Sequence, residues 1–317
     1  MSAAVTIRPL REDDLDAADH IFRLAFGTYV GLPDPLVFAG DSDWVRTRWR
    51  AEPSAALAAE RDGELAGSNF VSRWGSVGFL GPLTVRPDLW DRGIGGRLLD
   101  ATMPLFDTAG VRQVGLFTFS NSPKHVALYQ RFGFWPHFLT AILEGPTDGP
   151  ADGPPVTARP WSAHSSDERA RLLGDARALT DAIHPGLDLT REIRAVESQS
   201  LGNVVVVPGA GGLDGLAICH CGAGSEAGSG ACYVKFGAVL PGAHAPERFG
   251  RLLDACAALA RERGLERLIV GVNTARRSAY RELLARGMRI DVLGVSMQRG
   301  GDPAYDHADS FVLDDWR

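Results

Sequence analysis

Three glycines, Gly93, Gly95 and Gly96, sit in the stretch Gly81–Ala101, which reads GPLTVRPDLWDRGIGGRLLDA. They follow a short β-branched run and open onto an amphipathic Arg-Leu-Leu segment, so the chain is expected to turn tightly from a strand into a helix. The first turn of a helix carries N–H groups with no intrahelical acceptor, and the helix dipole adds positive potential at the same end. The chemistry this spacing offers is anion binding. The N–H groups of this turn would meet an anion, and at Gly93, Gly95 and Gly96 no Cβ holds it off.

Two common anion loops do not fit. A dinucleotide fold requires G-x-G-x-x-G, and here the third glycine position is Leu98. A nucleotide-triphosphate loop requires Gly-Lys-Ser/Thr, whereas Gly96 is followed by Arg97 and Leu98.

The elements that must position the glycines are legible around them. A strand is expected at Val5 to Arg8, helices at Asp13 to Phe26 and Ser42 to Arg50, and then an antiparallel meander of AALAAE, LAGSNFVSRW and VGFLGPLTV, with RDGE as the first turn. A helix from Gly95 to Thr108, a strand QVGLFTF, a helix from Ser122 to Phe132 and a closing strand FLTAIL complete a mixed sheet wrapped by helices. Gly81-Pro82 interrupts the last meander strand, because proline donates no ladder hydrogen bond and glycine weakens one. The strand is expected to splay there, leaving N–H groups around Leu83, Thr84 and Val85 for an extended ligand.

A chain of 317 residues exceeds the usual size of one core, which favours two domains. With 45% apolar and 23% charged residues it reads as globular, and no apolar run nears the roughly 18 residues that span a bilayer. The N-terminus lacks a basic flank and apolar signal core, so a cytoplasmic location is expected. A net charge of −6 with scattered Lys and Arg argues against nucleic acid, and nothing points to a membrane partner. Cys219, Cys221, Cys232 and Cys256 have no paired CxxC spacing and are read as core thiols, with no metal site.

EGPTDGPADGPP, residues 144–155, reads as a linker. Similar openings, VTIRPL at Val5 and VTARPW at Val156, flank it. Laying Val85 on Val239, an offset of 154, superposes VRPDLWDRGIGGRLLDA on VLPGAHAPERFGRLLDA without a gap. The match continues, Leu105 with Leu259, Gly110 with Gly264, and LYQRFGF with ELLARGM. The expectation is an α/β fold in two tandem copies, residues 1–143 and 156–317.

The stretch VRPDLWDRGIGGRLL resembles motif A of the GNAT superfamily of N-acetyltransferases, and the order of elements matches as well. Trp90 stands where that family has Gln or Arg, while Gly93 and Gly95 are in place. The resemblance implies acetyl-CoA as co-substrate, its pyrophosphate on Asp91, Arg92, Gly93, Ile94, Gly95 and Gly96 and its pantetheine along Leu83, Thr84 and Val85. It implies an acetyl-CoA dependent N-acyltransferase moving an acetyl (acyl) group to a primary amine of a small molecule, peptide or protein. The alternative is a non-catalytic acyl-CoA binding protein, and the chain would be a monomer or homodimer. In FTFSNSPKHVALYQRFGFWP, Tyr129 falls where the family keeps its general acid, and Asn121 and Ser122 fall beside the cofactor. Each has a plainer reading: Tyr129 shares a packing face with Val126 and Phe132, and Asn121 or Ser122 suits a helix cap.

Lys124 and His125 read as solvated first-turn residues, and His20 and Asp34 are the weak candidates for a base. GTYVGLPDPLVFAG, residues 27–40, is the segment that frames the acceptor in the family. In the second copy Glu247 replaces Gly93, Phe249 replaces Gly95 and Leu283 replaces Tyr129, so that copy is expected to bind no cofactor.

Overall fold

A computed structural model describes residues 4–147, 159–300 and 302–317. The first half runs β1 (Val5–Pro9), α1 (Leu15–Val30), α2 (Val45–Ala51), β2 (Ala56–Arg61), β3 (Glu64–Trp74), β4 (Val77–Leu80) and β5 (Thr84–Val85). It continues with α3 (Ile94–Thr108), β6 (Gln113–Phe119), α4 (Pro123–Gln130) and β7 (Phe134–Pro146). Helix α1 buries Ala18, Ile21, Phe22 and Ala25 at helical spacing, and stops at Gly31 in the left-handed region, φ 77°. Asp62 and Gly63, both with positive φ, close the β2–β3 hairpin.

The second half repeats the pattern with β8 (Arg159–Pro160), α5 (Ser166–Ile183), α6 (Thr190–Ser198), β9 (Gly202–Gly209), β10 (Gly212–Gly222) and β11 (Gly228–Val239). After these come α7 (Ala245–Glu262), β12 (Arg267–Asn273), α8 (Arg277–Ala285), β13 (Arg289–Arg299) and β14 (Val312–Leu313). The offset read from the sequence lands element on element: β6 begins at Gln113 and β12 at Arg267, α4 at Pro123 and α8 at Arg277. The strand expected at Val156 is described only from Arg159 on.

One continuous sheet joins both halves, in the order β1-β2-β3-β4-β6-β13-β7-β12-β11-β10-β9-β8. The closing strands are exchanged. β13 of the second half lies antiparallel to β6 of the first, Gly294 opposite Phe119, while β7 of the first half lies antiparallel to β12 of the second, Asn273 opposite Thr140. β7 and β13 also pair with each other, Leu139 opposite Val295, so neither half closes its own sheet.

This exchange corrects the expected linker. Glu144, Gly145 and Pro146 continue β7 against Ile269, Leu268 and Arg267, and Thr147 is buried with its Oγ1 donating to the Leu265 carbonyl. Ladder hydrogen bonds from β12 outweigh the turn preference of Gly and Pro there. The remaining linker residues, 148–155, lie outside the described residues.

Among the described residues no helix is long and apolar enough to cross a membrane. Cys219 and Cys221 share one face of β10 with their sulfurs near Cys256 and Cys232, at 3.9 and 3.7 Å. All four thiols are free; Cys219, Cys232 and Cys256 are buried and Cys221 half-buried.

Candidate active site

The meander strand bends where Gly81-Pro82 stands, and the peptide between them is cis. From the Leu80–Val71 pair to the Thr84–Ser68 pair the meander strand advances four residues and β3 only three, which is a one-residue bulge. Before the bulge β4 pairs with β6, up to Phe79 opposite Gly115; after it β5 follows β3 and leaves β6. A wedge-shaped gap opens between β5 and the end of β6.

The ladder decides which groups face that gap. Arg86 N donates to the Ala66 carbonyl at 2.9 Å, and hydrogen-bonded pairs of an antiparallel ladder recur at every second residue. Thr84 therefore spends its N–H and C=O on Ser68, and its Oγ1 lies 3.2 Å from Ser68 Oγ. Thr84 has no backbone group left for a ligand, contrary to the expectation. Leu83 and Val85 turn to the gap instead. The Val85 carbonyl already accepts from Trp90 Nε1 at 2.8 Å, which gives the tryptophan at the unusual position a structural role.

At the mouth of the gap α3 begins. Its N-cap is Gly93, with φ 76°, preceded by Asp91 with φ 62°. No acceptor among the described residues takes the N–H groups of Gly93, Ile94, Gly95 or Gly96. A Cβ built on Gly95 would come no closer than 3.6 Å to Leu83 and Leu128, and one on Gly96 would meet nothing within 4 Å. Packing within the protein does not require these two glycines, whereas a phosphate seated on the helix end does. Lys124 Nζ lies 2.6 Å from Asp91 Oδ1 and 5.8 Å from the centre of the Trp90 ring, so one cation reaches across the cradle.

Helix α4 forms the opposite wall. Ser122 is its N-cap, accepting from His125 N at 3.4 Å, and is buried; Asn121 is exposed, its Oδ1 3.4 Å from the Tyr29 hydroxyl. Tyr129 is buried among Leu99, Phe106, Leu116 and Phe134, and its hydroxyl has no hydrogen-bond partner among the described residues. Burial pushes this phenol up to about 12, so it keeps its proton throughout the neutral range.

His125 differs from its expected solvated state. It is half-buried with its ring centre 5.1 Å from that of Tyr29, and burial, aided by the Lys124 charge, lowers its pKa. It is a neutral imidazole four residues before Tyr129, hence on the same helix face. Sequence spacing alone held this signal, but nothing in it said which face was covered. His20 is exposed on α1, and Asp34 is exposed and caps a short turn by accepting from Leu36 N at 3.0 Å.

An aromatic group stands where α1 runs into residues 27–40, the segment expected to frame the acceptor. Phe26 stacks on Phe38 at 5.4 Å, and Tyr29 lies 4.9 Å from Phe119 at the open end of β6.

The second half shows the same cleft filled. Val312 and Leu313 pair with Ala238 and Gly237, and Val239 N donates to the Phe311 carbonyl at 3.3 Å. By the offset of the repeat, Gly237 and Val239 are the counterparts of Leu83 and Val85. Ser278 N, the counterpart of Lys124 N, donates to the Ala308 carbonyl at 3.0 Å. The chain's own residues 308–313 thus occupy the place an extended ligand would take. Phe249 is fully buried with its ring 5.2 Å from that of Phe311, so the residue in place of Gly95 supports the inserted segment. Arg276 anchors the segment through Asp306, the Val312 carbonyl and Asp314 at 2.8, 3.0 and 2.8 Å. Glu247 is largely exposed beside His244, so its charge is screened and is the lesser obstacle.

The chain is similar to known proteins in part of its sequence and in its fold. Residues 18–134 match the acetyltransferase (GNAT) family. The mycothiol acetyltransferase of Clavibacter sepedonicus is 31% identical over 136 residues, a match that spans 42% of this chain and 44% of that protein, less than half of either. Among solved structures, the GCN5-related N-acetyltransferase from Sphaerobacter thermophilus has a TM-score of 0.59 at 18% identity, covering 94% of this chain and 97% of the other. The tandem GNAT protein from the clavulanic acid biosynthesis pathway has a TM-score of 0.56 at 14% identity, covering 94% of this chain and all of the other. Residues 18–134 thus match the acetyltransferase (GNAT) family, and the chain as a whole shares the fold of these solved acetyltransferase and tandem GNAT structures.

Proposed function

We propose that this chain transfers the acetyl group of acetyl-CoA to a primary amine of a small molecule or protein, with the cofactor held by the first half. One observation carries the reading. The backbone groups of Leu83 and Val85 are left facing a gap in the first half, while their counterparts in the second half are taken by the chain's own strand.

In this reading the N–H groups of Arg92, Gly93, Gly95 and Gly96 hold the pyrophosphate, with Asp91 and Ile94 shaping the loop, and those of Leu83 and Val85 meet the pantetheine amides and the thioester oxygen. The amine nitrogen attacks the thioester carbon, the C–N bond forms, and the C–S bond breaks. The Tyr129 phenol gives its proton to the departing thiolate, and neutral His125, on the same face of α4, removes the proton the amine loses. Ser122 serves α4 as its cap, and Asn121 stands at the rim. The aromatic group of Phe26, Tyr29, Phe38 and Phe119 suits a partly apolar amine.

The test is thiol release from acetyl-CoA over a panel of primary amines, read beside calorimetric binding. Amine-dependent release supports the proposal; binding without release to any amine would reduce the chain to an acyl-CoA binding protein.

A further inference from the structure

Arg48, on α2, is buried between the halves. Its Nε and Nη2 each lie 3.1 Å from a carboxylate oxygen of Glu226, in the β10–β11 loop of the second half, and its Nη1 donates to the Gly81 carbonyl at 2.6 Å. Glu226 is held in turn by Lys235 Nζ at 2.8 Å, and Lys235 lies 3.3 Å from Glu192, whose other oxygen accepts from Trp74 Nε1 at 3.0 Å. The four side-chain charges cancel in pairs, and all four groups are buried. A fork with both ends on one carboxylate has a fixed plane, so its third N–H is aimed by the second half.

We propose that Glu226 is a positioning residue for the acyl site of the first half, acting through Arg48 on the Gly81 carbonyl. This rests on the reading that acyl-pantetheine lies along Leu83 and Val85. Gly81 is the first residue of the bulge, and its carbonyl belongs to the peptide that joins it to Pro82. The pyrrolidine ring fixes φ of Pro82, so once that carbonyl is held only the ψ of Pro82 stands between it and the direction of the Leu83 N–H. The second half therefore does more than cover the first. It sets the aim of the donor that meets the thioester, and leaves the glycine cradle, at the other end of β5, untouched.

The cofactor itself separates this role from a merely structural one. Adenosine diphosphate reaches only the glycine cradle, whereas acetyl-CoA also lies along the bulge. In the full-length chain, Glu226→Gln and Arg48→Lys are each expected to weaken acetyl-CoA binding about tenfold by calorimetry while leaving adenosine diphosphate binding within twofold. Glu226→Asp, which keeps the charge, should recover part of the loss. Equal weakening of both ligands, or of neither, overturns the proposal. The wild-type chain is measured alongside: if it binds no acetyl-CoA, the functional reading falls and this inference with it, whereas normal wild-type binding with unaltered variants removes this inference alone.

Discussion

The Val239 N–H donates to the carbonyl of Phe311 at 3.3 Å, and the counterpart of Val239 in the first half, Val85, has no such strand beside it among the described residues. The two clefts of this tandem protein differ because one contains a piece of its own chain.

One acetyl-CoA is expected to bind per chain. Gly95→Phe places a ring on the helix end where the first half is open, and should reduce affinity more than a hundredfold in calorimetry. Phe249→Gly should add no second equivalent, because residues 308–313 still fill that cleft. Two equivalents per wild-type chain would contradict both statements.

Tyr129→Phe removes a hydroxyl that has no partner among the described residues and keeps the ring that packs the core. Turnover should fall about a hundredfold or more, the usual range for a lost proton donor, while acetyl-CoA affinity and thermal stability stay nearly unchanged. Unchanged turnover with chemistry rate-limiting would remove Tyr129 from the acid role.

Burial holds His220 at about 4, and its Nε2 has no partner among the described residues. A histidine depressed in the folded state binds its proton more readily when unfolded. Its contribution to stability is therefore complete above the ordinary value near 6.5 and is lost as pH falls toward 4, by about 3 kcal/mol at the low end. Urea unfolding at pH 7 and pH 4.5 should show the loss, and His220→Gln should shrink it. An equal pH dependence in the variant would assign the loss to other groups.

Exchange of β7 and β13 predicts the behaviour of a nicked chain. Cleavage within residues 148–155 should leave two fragments that co-elute in size exclusion, since separating them strips β13 from β6 and β12 from β7. The first half produced alone should aggregate or remain unfolded, with β6 presented as a bare edge. Fragments that part freely under native conditions would show that the exchanged strands hold little.

Much of this molecule is decided by local sequence. The glycines at 93, 95 and 96, the bulge at Gly81-Pro82, the cap at Ser122 and the offset between the copies depend on residue types a few positions apart, and each appears where the spacing puts it. Other features are set only by long-range pairing. That Thr84 faces β3 while Leu83 and Val85 face the gap depends on a register fixed by Ala66 and Ser68. That Glu144 to Pro146 form strand depends on β12, more than a hundred residues on, whose ladder overrides the turn preference of their own sequence. His125 is half-buried with Tyr29, from another helix, packed beside its ring. The second cleft is filled by a segment whose sequence bears no mark of its partner, since backbone pairing with Gly237 and Ala238 asks for open N–H and C=O groups rather than for particular side chains.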